Sequence, residues 1–187
     1  LAKADIFFTF VKEGSAKAIL NMGAFNKIIM QYKGLTIDKK TNNVILDTNS
    51  VLKIFGGLRW GGIPFVNTIH QYTFRWITIR PQTGEIVKRE EKLDFILVRD
   101  DVYAVEVKGA ESKGMVPLDI VILLTLRCEN PYKALFKAQD WSEMIFNRSE
   151  ATFREYVAFL SFEELVQQKQ AAGEELYIKL ERQGLLN

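Results

Sequence analysis

The sequence predicts an α+β fold. The first 130 residues read as strands, as glycine-flanked apolar runs at 16–22 and 25–32 and as period-two alternation at 72–80 and 119–128. After Pro131 the apolar spacing changes to about 3.6. Strands come first and helices last, an order that does not build the alternating βαβ units of a parallel sheet. Composition agrees with a folded domain: 187 residues, 48% hydrophobic, 26% charged and a net charge of +2. That apolar content excludes a disordered chain, and the near-neutral charge argues against a nucleic-acid binder.

The elements follow in order. Residues 16–22 and 25–32 are apolar runs punctuated by Gly14, Gly23 and Gly34, the pattern of two strands. Residues 38–43 are polar and form a turn before a short strand at 44–46. Residues 55–65 hold four glycines and Pro64 and are expected to be a loop, with a strand starting near Phe65. In 72–80, Tyr72, Phe74, Trp76 and Thr78 share one face of a strand. Gly84 turns the chain into 85–90. Segments 93–98 and 102–107 are expected to pair as a hairpin about Asp100-Asp101.

Pro117 opens the longest strand, 119–128, with Ile120, Ile122, Leu124 and Leu126 expected to be buried. Cys128 continues that apolar face, which favours a packed thiol over a nucleophile. A short helix is expected at 132–138, then a longer one capped by Asp140, with Trp141, Met144, Ile145, Thr152, Tyr156, Phe159 and Leu160 on its apolar stripe. Ser161-Phe-Glu-Glu164 is a capping box. It should start one helix to about Arg182, with Phe162, Leu165, Val166, Leu176 and Leu180 on its apolar side, Gly173 as a weak point and Gly184 as its stop.

The chemistry available is narrow. One cysteine and one histidine, His70, exclude an intrachain disulfide and a zinc site built from several Cys or His ligands. No cofactor motif is present: the Gly-Gly loop lacks the lysine and hydroxyl residue of a phosphate loop. The sharpest catalytic pattern is Asp94, then Glu106-x-Lys108, which matches PD-(D/E)xK nucleases. Two carboxylates on neighbouring strands would hold Mg²⁺, and the lysine, two residues past the glutamate, would orient a water. The same spacing also describes an ordinary solvent-facing strand, with Val105 and Val107 turned inward. Charge is uneven. Residues 1–60 hold nine Lys/Arg against four Asp/Glu, while residues 113–187 hold nine against eleven. A basic N-terminal third suits an anionic surface such as a membrane.

Several segments together resemble the stomatin/prohibitin/flotillin domain (SPFH, or Band 7). Val11-Lys-Glu-Gly14 is similar to its opening strand, and residues 61–67 to its P-G-x-H-F-x-N-P segment. Residues 119–136, with Asn130-Pro131, resemble its long strand and following turn, and 148–165 its helices. The resemblance runs from about residue 8 to 184. It implies a β-rich subdomain over 1–115 and a strand-plus-helix subdomain over 116–187. It implies a non-enzymatic, membrane-associated scaffold that forms homo-oligomers and organises membrane proteins or lipids, with no cofactor and no nucleic-acid partner. Within it, Asp94–Lys108 would carry no metal. Arg59, Trp60 and Ile63 are the expected membrane-facing residues, since Trp suits the headgroup boundary and Arg anionic lipid. The chain opens on Leu1 and not Met, so it is expected to be a piece of a longer product, with the membrane segment before it and a coiled coil after Asn187.

Overall fold

The structure, a computed structural model, describes residues 7–47, 56–80, 82–167 and 169–182. It is 43% strand and 25% helix, a mixed α+β architecture. Strands occupy the first two thirds of the chain and helices the last. By its contacts the chain divides into two compact units: Leu1–Phe74 with Glu90–Asp101 and Thr125–Gln139, and Arg75–Arg89 with Val102–Leu124 and Asp140–Asn187.

The first unit is built on the hairpin of β2 (Ser15–Asn21) and β3 (Ala24–Gln31). Its turn places Met22 and Gly23 both at positive φ, 49° and 84°, the geometry whose twist matches a hairpin. The other edge of β2 is shared. β10 (Ile96–Leu97) pairs with its start and β7 (Asn67–Ile69) with its end. β4 (Leu35–Ile37) and β5 (Val44–Leu46) form a small ribbon about the predicted turn. There Asp38 accepts bonds from the backbone and hydroxyl of Thr41, and these hold its carboxyl below the usual carboxylate range. Val11, Ala16, Ile19, Ile96 and Val98 make a core with almost no exposure.

One expected loop is partly strand. Leu58–Trp60 form β6 and pair with β1 (Phe8–Phe10). The glycines permit it: Val11 donates to the Gly57 carbonyl at 2.8 Å, and a Cβ on Gly57 would collide with the Val11 carbonyl oxygen.

The second unit is centred on a four-stranded sheet ordered β12-β11-β8-β9: β8 is Tyr72–Ile79, β9 Ile86–Leu93, β11 Asp101–Glu111 and β12 Pro117–Leu126. The expected hairpin of 93–98 with 102–107 does not form. β10 joins β2, whereas β11 lies between β8 and β12. Neither Asp100 nor Asp101 takes the positive φ that a two-residue hairpin turn requires, and Asp101 already belongs to β11. Along β12 the alternation is as predicted, but burial is lighter. Leu124 alone is fully buried, and Ile120, Ile122 and Leu126 are half-buried.

The short helix expected at 132–138 is present as a π-helix, Lys133–Lys137. Asp140 caps α1 (Trp141–Ala158), accepting from the Glu143 amide at 3.2 Å. The buried stripe of α1 is Ser142, Ser149, Thr152, Phe153, Tyr156 and Val157. Met144 and Phe159, expected on that stripe, are exposed. Two of the buried positions are serines a double turn apart, which hydrophobicity does not signal. Tyr103 of β11 meets Phe146 of α1 at 5.8 Å between ring centres. The capping box closes as predicted: Glu164 accepts from the Ser161 amide at 2.8 Å, and the Ser161 hydroxyl accepts from the Glu164 amide at 3.3 Å. Helix covers Phe162–Gln167 (α2) and Lys169–Arg182 (α3), on either side of residue 168, which lies outside the described residues. Gly173 lies inside α3 and does not end it. Leu180 is buried, and α3 packs against α1. The side chain of Leu176, Phe55 and the expected stop at Gly184 lie outside the described residues.

Candidate functional site

At one end of the first unit an aromatic surface faces outward. It grows from the β1–β6 ribbon, whose register sets Phe8 opposite Trp60, Thr9 opposite Arg59 and Phe10 opposite Leu58. Alternation then sorts the side chains. Thr9 is fully buried on the inner face, while Phe8, Phe10 and Trp60 are exposed on the outer one. Phe8 meets the Trp60 ring edge-on at 5.1 Å, and Phe7 lies at 6.1 Å from it.

The 61–67 turn extends this surface. The Phe7 carbonyl accepts from the Gly61 amide at 2.7 Å. The Asn67 side chain accepts from the Ile63 amide at 3.0 Å, and the Ile63 carbonyl accepts from the Asn67 amide at 2.8 Å. This closed turn projects Ile63, 59% exposed, and Phe65, 100% exposed. Phe65 has φ 68°, a backbone region unfavourable by roughly 1–2 kcal/mol for a side-chain-bearing residue. Its expected place in a core strand is therefore corrected: the turn's bonds fix the backbone, and the ring packs on nothing. The β2–β3 tip joins in, because the Met22 amide donates to the Val66 carbonyl at 2.9 Å and Met22 is 84% exposed. Seven large apolar side chains (Phe7, Phe8, Phe10, Met22, Trp60, Ile63 and Phe65) thus stand in solvent on neighbouring elements. Contiguous exposed apolar groups of this size are uncommon on folded monomers.

Two cations border it. Lys27 donates to the Trp60 carbonyl at 3.2 Å, and partial burial lowers its pKa. Arg59 is half-buried, with its guanidinium bonded to Gln31 Oε1 at 2.6 Å and to the Gly56 and Leu58 carbonyls. Of the three residues expected to face a membrane, Trp60 and Ile63 are thus exposed, and Arg59 is held against the ribbon.

The nuclease-like residues take other places. Asp94 bonds Lys17 at 2.6 Å within the first unit. Glu106 and Lys108 lie on β11 in the second unit and pair at 3.0 Å. Among the described residues no three His, Cys, Asp or Glu side chains gather as a metal-binding group. His70 packs against Phe136 at 5.1 Å, and burial lowers its pKa. Burial also pushes the Cys128 thiol up to about 12. Among the described residues no helix is long and apolar enough to cross a membrane.

Sequence reasoning singled out Trp60 and Ile63 in their glycine-rich setting, and both are exposed. It missed Phe7, Phe8, Phe10 and Met22. No signal in their own segments marks them, because exposure here comes from pairing between β1 and β6 across some fifty positions of chain. The fold and this surface define an α+β protein with an outward aromatic face. No protein-family model matches the chain, and no curated protein does.

Proposed function

We propose that this chain is an SPFH-type, membrane-associated scaffold domain, non-enzymatic, which meets the lipid headgroup region through its aromatic face. The single observation that carries this reading is the exposed group around Trp60, Ile63 and Phe65, fixed by a bonded turn rather than packed into a core. Tryptophan and phenylalanine gain most at the boundary between headgroups and acyl chains. Each large side chain transferred there contributes on the order of 25 cal/mol per Å² of apolar area removed from water. Lys27, at the border of this face, places positive charge beside anionic headgroups. Homo-oligomerisation belongs to the same reading, through the helical seam the resemblance implies after Asn187, as does the gathering of membrane proteins or lipids.

Vesicle co-sedimentation tests the reading. The chain is expected to pellet with phosphatidylcholine–phosphatidylserine vesicles. Replacing Trp60→Ser and Ile63→Ser together should weaken binding by about tenfold or more. Equal binding by the double variant would remove this face from the account, and no binding by the parent chain would remove the membrane role.

A further inference from the structure

The second unit carries a groove of about 520 Å³. One wall is residues 118–123 of β12, and opposite stand Phe153 of α1 with Phe162, Leu165 and Val166 of α2. Side chains alternate between the two faces of a sheet, so a groove that touches six consecutive residues meets the strand's edge, backbone included. β12 ends its sheet, and β11 is its one neighbour among the described residues. Natural edges of this length are guarded by lysines, prolines or bulges. The ten residues of β12 hold one charge, Asp119, and one proline, at the first position. Leu123 is 62% exposed, and Phe162 and Val166 are exposed across the groove. Among the described residues a row of backbone donors and acceptors therefore lies open beside an apolar wall.

The geometry points to a peptide-recognition groove, in which an extended segment of a partner protein adds to the sheet along β12. Backbone hydrogen bonds to β12 would supply affinity, and alternate aliphatic side chains would enter the recess of Phe153, Phe162, Leu165 and Val166. Among the described residues Asp119 is the only charge lining the groove, so the segment carries a lysine or arginine opposite it. Asp119 Oδ1 already accepts from the Gly109 amide at 2.8 Å, which fixes the carboxylate in place. A second copy fits less well. Antiparallel pairing of two β12 edges about a twofold axis brings both α2 segments to the same face of the joined sheet at the same place. A bare extended segment brings no second helix.

The test uses a fluorescein-labelled ten-residue peptide of alternating valine and threonine with one lysine near its C-terminus, titrated with the whole chain by anisotropy. Saturable binding is expected. It should weaken by about tenfold or more with Leu123→Lys, with Val166→Glu, and with a peptide N-methylated on alternate amides. Asp119→Asn should weaken the lysine peptide and leave a threonine-substituted peptide unchanged. Both bulkier substitutions sit at exposed positions, and the N-methylated peptide needs no variant at all. Absence of binding would overturn the proposal, as would binding indifferent to N-methylation. So would a dimer of the unmodified chain that Leu123→Lys dissolves, since the occupant would then be a second copy.

Discussion

Two single residues expose the local physics most directly. Cys128 borders a cavity of about 350 Å³ with Met30, Leu35 and Val98, and burial disfavours its thiolate. The thiolate is the reactive form. With the thiol pushed up to about 12, alkylation by iodoacetamide at pH 8 should be far slower in the folded chain than in urea, where an ordinary thiol is restored. Equal rates would show an open thiol. Glu164 is the second. Its bond from the Ser161 amide, foremost, and the bond with the Ser161 side chain hold its carboxyl below the usual range. A carboxylate depressed in the folded state stabilises that state above its unfolded pKa, and the benefit is lost as pH falls through the folded value. A carboxyl-carbon NMR titration should show the low midpoint, and Ser161→Ala, which removes the hydroxyl and keeps the amide donor, should move it part of the way upward. An unmoved midpoint would break the capping-box assignment.

At the scale of elements, β12 gives the clearest stability contrast. Leu124 is 8% exposed while Ile120 is half-buried. Leu124→Ala should cost roughly 2–5 kcal/mol in urea unfolding, and Ile120→Ala clearly less. Similar losses would mean the strand packs on both positions alike. What the sequence made legible follows the same logic of range. The β2–β3 hairpin, the 38–43 turn, the alternation of β8 and β12, and the Ser161–Glu164 box depend on neighbours a few residues apart, so spacing reveals them. Three-residue strands such as β1 and β6 have no period to read, and their partners lie far along the chain. The hairpin expected at Asp100-Asp101 failed because two good strands close in sequence need not pair. Each found an edge elsewhere, β10 on β2 and β11 between β8 and β12. The stripe of α1 was misjudged at Met144 and Phe159 because the buried positions there include Ser142 and Ser149.

For the whole molecule, the account makes a statement about assembly and one about location. α3 packs against α1 and buries Leu180, which is 3% exposed, in its own unit, and its described exposed apolar side chains are Tyr177 and Ile178. Light scattering of the 187-residue chain should therefore give a monomer or a weak self-association, and a longer product with a helical seam should give a large homo-oligomer. A stable ring formed by the 187 residues alone would contradict this. Location rests on the aromatic face. Its most direct test is quenching of tryptophan emission by vesicles of brominated lipid, because bromine quenches only rings at its own depth. The sequence contains three tryptophans, Trp60, Trp76 and Trp141, so single substitutions assign the signal. Brominated vesicles should quench the parent chain and the Trp76→Phe and Trp141→Phe variants, and quenching should vanish in Trp60→Phe. Quenching that survives in Trp60→Phe, or none in the parent chain, would contradict a membrane-facing role for this surface.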